Sequence, residues 1–295
     1  FKDVVPRLLS RGLTTTTATG KETIIHGLPT YVAEPENGIV PKGIVVIITD
    51  AFGWNFVNNR VMVDRYAKGG GLLVYCPDFM DGNAMNPRAI SLFDKIMEPV
   101  SWFTTIFFKP IYVFQAMIIA IPWKTRTKIP ITHPKVVSFF QALRSSEPPF
   151  PTNILKIGVA GFCWGGKHTI LLAQDDLSRR VQRHQSQAKS LTPEPLIDCA
   201  FTAHPSYIEV PNDIEAVKIP LSVAIGDKDS AMKAPQIDQM KEILQARQEG
   251  NFEVNVLEGA KHGFAIRTHP DDKDELECAN KAEAQAIDWF KRWFA

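Results

Sequence analysis

Cysteine is scarce in this chain. Its 295 residues hold four, at Cys76, Cys163, Cys199 and Cys278, with no Cys-x-x-Cys pair. That spacing excludes a disulfide framework and a zinc knuckle. No pair of its seven histidines has metal-ligand spacing either, so no metal is expected. An excess of one charge sign is also missing: 33 Lys and Arg against 32 Asp and Glu leave a formal charge of +1. A balance that close argues against an electrostatic nucleic-acid or membrane partner. There is no uninterrupted apolar run of ~20 residues, so no ordinary membrane span is expected. The apolar stretch from Ile111 to Ile121 is only 11 residues long. Internal repeats and low-complexity linkers are absent too.

What is present is a hydrophobic content of 45%, enough for one large α/β domain or two small ones. Short β-rich runs alternate with helical patterns, which predicts a mostly parallel central sheet with helices on both faces. Strands are expected at Ile44–Thr49, Leu72–Cys76, Lys156–Ala160, Cys199–His204, Leu221–Ile225 and Phe252–Leu257, after an edge hairpin of Thr23–His26 and Thr30–Ala33. Helices are expected at Val57–Lys68, Pro134–Ser145, Gly166–Asp175, Ala234–Gln248 and Glu275–Phe294. The last carries Ala279, Ala282, Ala286, Trp289, Phe290 and Trp293 at helical spacing, a docking stripe. Residues 177–195, with Arg179, Arg180, Arg183 and Lys189, read as a solvated loop or helix extension. Residues 1–22 read as an N-terminal extension, with Thr14–Thr17 a polar tract, and 23–295 as one domain. The aromatic segment 86–128 breaks the alternation, and Pro99, Pro110 and Pro122 speak against long helices in it. A cap over the active site is the expected role, ahead of a dimer surface or a peripheral membrane contact.

The most informative stretch is Gly161-Phe162-Cys163-Trp164-Gly165-Gly166, between the apolar run Ile157–Ala160 and a helical pattern. Strand, Gly-x-nucleophile-x-Gly turn and helix make up the nucleophile elbow of α/β-hydrolases, here with cysteine as the nucleophile. A helix starting at Trp164 points free N–H groups at the sulfur and favours the thiolate. The bland alternative is a glycine-rich turn around an inert buried cysteine. Chain order argues against it, because nucleophile, acid and histidine follow one another after parallel strands. Gly226-Asp227-Lys228-Asp229 supplies the acid, with Asp229 preferred over Asp227 from the Gly-x-x-Asp pattern. Lys261-His262-Gly263-Phe264 supplies the base. Oxyanion donors are expected from the backbone N–H groups of Trp164 and of Ala51, after the strand at Ile44–Thr49. Asp50 would lie near the sulfur or cap the following turn, and Phe52 and Trp54 would line the substrate site. His204 reads as packed or hydrogen-bonded, and His26, His133, His168, His184 and His269 as structural or exposed.

These residues resemble the dienelactone hydrolase family, the carboxymethylenebutenolidase-like proteins. The likeness rests on the cysteine elbow, the Gly226–Asp229 loop, His262-Gly263-Phe264 and Asp50-Ala51-Phe52-Gly53. It implies an α/β-hydrolase fold, a Cys163–His262–Asp229 triad and hydrolysis of an enol-lactone or related ester, with neither metal nor organic cofactor. It also implies arginines that hold a substrate carboxylate: Arg267, one residue late for the pattern, and Arg88. The family carries glutamate where this chain has Asp50, a modulator of the thiol that is one methylene shorter.

Activated esters are the expected substrates, namely enol-lactones, aryl esters or thioesters. Two alternatives stand beside this, a non-hydrolytic isomerase or cyclase using the same site and a catalytically silent binding module. A small-molecule substrate, possible homodimerisation and, from the free thiols, a cytoplasmic location complete the expectation. The chain opens on Phe1, so upstream residues, a targeting segment among them, are left open.

Overall fold

The computed structural model describes residues 14, 16–97, 100–188, 192–247, 250–268 and 272–295. Most of the 1–22 extension, including Thr15 of the polar tract, lies outside them, as do Pro99, Lys189, Gln248 and His269.

Eight strands form one sheet: β1 (Lys21–Ile25), β2 (Leu28–Ala33), β3 (Ile44–Ile48), β4 (Leu73–Pro77), β5 (Ile157–Phe162), β6 (Cys199–Ala203), β7 (Leu221–Lys228) and β8 (Phe252–Lys261). Their order is β1-β2-β4-β3-β5-β6-β7-β8. The β1–β2 hairpin pairs antiparallel, as does β2 with β4, and all other pairs are parallel. Every residue of β3, β4, β5 and β6 is buried. Continuous apolar runs of this kind belong to strands covered on both faces.

Side chains alternate across the pleat. Val46 and Ile48 enter one core with Phe140, Val159 and Leu221. Val45 and Ile47 enter the other with Tyr66, Phe201 and Phe290. The first layer holds helices α5 (Ile129–Ser145), α6 (Trp164–Ala173) and α8 (Ala234–Gln245); the short α7 (Asn212–Glu215) adds Ile214 to it. The second holds α1 (Val57–Gly70) and α9 (Lys273–Trp293). The expected docking stripe of α9 is buried at Ala282, Ala286, Trp289 and Phe290, and Asp272 caps its first turn by accepting from the Asp274 and Glu275 N–H groups.

From β3 the chain moves to β4 on one side and later to β5 on the other. The carboxyl ends of β3 and β5 therefore flank a topological switch point, where open α/β sheets place their ligands.

Two expectations fail. Proline does not break the aromatic segment into loops. It forms α2 (Arg88–Met97), α3 (Trp102–Phe107) and α4 (Lys109–Arg126), with Pro110 in the first turn of α4, where no intrahelical donor is lost, and Pro122 inside the helix, where one is. Trp102–Arg126 is thus one helical stretch of 25 residues, long and apolar enough to cross a membrane. Counting only uninterrupted apolar residues hid it, because Thr104, Thr105, Lys109 and Gln115 punctuate the run. Nor is the 177–195 segment simply solvated. Arg183 is half-buried as a residue with its side chain 8% exposed, and it pairs with Glu194 at 2.6 Å, beside the fully buried Arg144, which pairs with Asp198 at 2.9 Å.

Candidate active site

Cys163 sits between the end of β5 and the start of α6 with φ 51° and ψ −111°. A left-handed φ is unfavourable for a residue with a Cβ and persists only where the surroundings fix it. They do so from the ends of two neighbouring strands, β3 and β6. The Cys163 N–H donates to the Ala203 carbonyl (3.3 Å), the Gly165 N–H donates to the Thr49 carbonyl (3.1 Å), and the Cys163 carbonyl accepts from Ser206 N–H (2.9 Å). A Cβ on Gly165 would run into the Ile48 carbonyl oxygen, and one on Gly161 into the Gly165 carbonyl. The spacing of the motif thus follows from how closely α6 must approach β3.

The thiol lies at one end of a hydrogen-bonded chain. Cys163 Sγ is 3.4 Å from Ser206 Oγ, and Ser206 Oγ is 3.4 Å from His262 Nε2. His262 Nδ1 donates to Asp229 at 3.0 Å from each carboxylate oxygen. Asp229 is buried, and its Oδ1 also accepts from the Ala231 (2.7 Å) and Met232 (3.2 Å) N–H groups. Asp227 points elsewhere and accepts from the Gly259 N–H at 2.7 Å. Of the two acids weighed from the sequence, the structure places Asp229 against the imidazole.

Burial pushes the Cys163 thiol up, but hydrogen bonding to His262, its positive charge and the Ser206 hydroxyl outweigh that, and the thiol ends below its ordinary value. Burial pulls His262 down, and its hydrogen bonds to Asp229 and Cys163 outweigh that in turn, raising it to about 10. The two shifts describe one coupled pair, in which thiolate and imidazolium stabilise each other. The other described cysteines behave oppositely: burial drives Cys76, Cys199 and Cys278 upward and keeps them as thiols.

Asp50 closes β3 and is fully buried. Its Oδ1 accepts from the Phe52 N–H and from Asn59 Nδ2, both at 3.1 Å, while its Oδ2 faces Arg267 Nε at 3.7 Å. Burial raises its carboxyl above the usual range, against the opposing pull of Arg267. Its side chain holds the turn after β3, and its negative charge works against the lowering of the Cys163 thiol. Arg267 stacks over the Phe52 ring at 5.2 Å. Among the described residues the N–H groups of Ala51 and Trp164 donate to no backbone acceptor, and they flank the elbow. Trp54 instead lies under the Arg60 guanidinium at 4.9 Å. Arg88 is exposed at the start of α2; its N–H donates to Asn86 and its carbonyl accepts from Ser91, and no contact joins it to the thiol.

A model of the dienelactone hydrolase family matches residues 28–294. The chain belongs to that family. Hydrolase tropI of Talaromyces stipitatus is 25% identical over 93% of this chain and 90% of its own length. The carboxymethylenebutenolidase homologue of Xenopus tropicalis is 23% identical over 94% and 92%. A dienelactone hydrolase structure from Anabaena variabilis superposes with a TM-score of 0.53 at 14% identity, covering 93% of this chain and 97% of that one. The fold is the α/β-hydrolase fold, and the protein is a hydrolase of carboxylic esters or lactones.

In this dienelactone hydrolase family member, Ser206 is the residue beside the thiol to which the sequence reading gave no role, while His204 was expected to be packed or hydrogen-bonded. Ser206 bridges Cys163 and His262. His204 packs edge-on against His262, ring centroids 5.1 Å apart, with both ring nitrogens unpartnered among the described residues; burial drives its pKa far below the usual value, so the ring is neutral. The signal was the position of His204-Pro205-Ser206 directly after β6, the strand beside β5. Beyond Ser206, Tyr207 and Trp164 border a cavity of about 380 Å³ that also meets Trp123, Thr127 and Lys128. The Trp164 indole N–H is fixed by the Thr127 carbonyl at 2.8 Å. A larger hollow of about 780 Å³ lies beside His133, Leu171 and Lys218, away from the nucleophile.

Proposed function

We propose that this hydrolase works through a Cys163–His262–Asp229 triad and an acyl-thioester intermediate. The observation that carries the proposal is the continuous chain from Cys163 Sγ through Ser206 Oγ and His262 to Asp229. The Cys163 thiolate attacks the ester carbonyl carbon. The electron pair moves onto oxygen, which the N–H groups of Ala51 and Trp164 stabilise, typically by roughly 3–4 kcal/mol per donor. The intermediate collapses, the C–O bond breaks, and His262 Nε2 gives its proton to the departing oxygen. Neutral His262 then takes a proton from water, the hydroxide adds to the thioester carbonyl, and thiolate leaves to release the acid. Asp229 holds the imidazole tautomer and balances its charge throughout.

Sulfur restricts the substrate. A thiolate with a conjugate acid near ~8.5 leaves more readily than an alkoxide, so an alkyl ester or amide would mostly return to starting material. Enol-lactones, aryl esters and thioesters carry leaving groups good enough to compete.

Replacing Cys163→Ala should lower turnover of 4-nitrophenyl acetate by at least about 10³-fold, within the range lost when an acting unit is removed. An unchanged rate would rule the nucleophile out, and rapid hydrolysis of a peptide amide would rule out the leaving-group argument.

A further inference from the structure

The outer face of α3 and α4 is apolar and uncovered. Trp102 is 73% exposed, Phe107 55%, Phe114 64%, Ile118 59% and Ile121 51%. Positions 107, 114, 118 and 121 recur at helical spacing, so they form one stripe rather than scattered side chains. Of α4 only Ala116 is buried. Contiguous apolar surface on this scale marks an interaction site.

The charge around the stripe says what it meets. Residues 100–128, the segment that carries the stripe, contain four Lys and Arg and no Asp or Glu. Lys124, Arg126 and Lys128 cluster, exposed, where α4 ends. The balanced charge of the whole chain conceals this local excess. A protein partner or a second copy of this chain would have to bring its own acidic rim, whereas a bilayer with anionic headgroups offers hydrocarbon and negative charge in one surface.

The path of the chain decides between crossing and lying on that surface. Lys95, near the end of α2, sits over the Tyr112 ring at 5.2 Å. Ala89 and Ile90, at the start of α2, join the same core as Ile119 and Ala120. The two helices therefore run antiparallel, with the aromatic turn around Phe103 and Phe107 at the far end. Both legs return to the globular body: α2 through Ile90, and α4 through Trp123 and the buried Thr127. A hairpin that leaves and re-enters the same body dips into one leaflet.

We propose that the α3–α4 face seats this enzyme on a bilayer containing anionic lipid, without spanning it. The inference stands apart from the triad, since it would hold for an inactive protein.

The test is co-sedimentation of the full chain with sucrose-loaded vesicles of phosphatidylcholine, with and without phosphatidylserine. The expected result is binding at least about tenfold stronger to the anionic vesicles, weakening as salt is raised. A triple variant, Phe107→Ser with Phe114→Ser and Ile118→Ser, should lose that binding while hydrolysing 4-nitrophenyl acetate in solution at the unaltered rate. Should that variant misfold, the single Phe114→Glu carries the comparison. Wild-type protein left in the supernatant with both vesicles overturns the proposal. So does equal binding by a folded variant, or a wild-type dimer that the variant dissociates without any vesicle binding.

Discussion

Cys163 differs from the other described cysteines of this protein in being half-buried where they are buried, and above all by what surrounds it. Cys76 and Cys199 are enclosed by apolar strands and stay protonated. Cys163 has an imidazole and a hydroxyl within reach. The sign of its shift makes a direct prediction. A lowered thiol value means the thiolate persists below the ordinary range and disappears only as pH falls through the lowered value. His262, raised to about 10, stays imidazolium across that window. Alkylation of Cys163 by iodoacetamide, followed against pH, should therefore have its midpoint well below that of a free cysteine. His262→Asn should move the midpoint up toward ~8.5, the free-thiol value. Ser206→Ala should move it up by less, because the hydroxyl is the lesser of the groups that favour the thiolate. A midpoint unmoved by either substitution would mean the contacts around the thiol do not tune it.

At the level of elements, the elbow is a packing problem before it is a catalytic device. Gly165 lets α6 approach the end of β3 so closely that its N–H reaches the Thr49 carbonyl. In Gly165→Ala the new methyl would meet the Ile48 backbone, which cannot swing aside as a side chain can. The expected cost is on the order of 1–3 kcal/mol in denaturant unfolding, together with loss of activity as Cys163 is displaced. An active, equally stable variant would show that the helix has room to retreat.

The same elements show what could be read in advance. The six parallel strands announce themselves by apolar runs and the elbow by its glycines. Asp229 and His262 follow β7 and β8 as hydrolase order requires. The bridge made by Ser206 was not legible, because it depends on the left-handed turn at His204 and Tyr207, which folds the loop after β6 back over the elbow. The buried Arg183 side chain was misread for a similar reason: its partners Glu194 and Asp198 reach it only once the loop is folded.

Across the whole molecule, the topology concentrates chemistry at one edge. The switch point between β3 and β5 collects Asp50, Cys163 and the N–H groups of Ala51 and Trp164, while β6, β7 and β8 deliver Ser206, Asp229 and His262. The helical segment that sequence reading set over the site touches it only at its base, through Thr127 and Trp123, and turns its apolar length outward. Proline and polar punctuation obscured that helix: Pro110 sits in a first turn, which has no hydrogen bond to lose, and Pro122 costs one bond without ending the helix. Recognition of the family thus fixed the reaction class, while the Asp50 carboxylate and the Ser206 bridge are features of this chain's own site.

The central claim is that Cys163 carries the acyl group. The direct measurement is to mix the enzyme with excess 4-nitrophenyl acetate, quench in acid during turnover, and map the acetylated peptide by mass spectrometry. The account predicts one acetyl group on the peptide containing Cys163, lost on further incubation and absent in Cys163→Ala. Steady turnover with no adduct at Cys163, or an adduct on Ser206 instead, would contradict it.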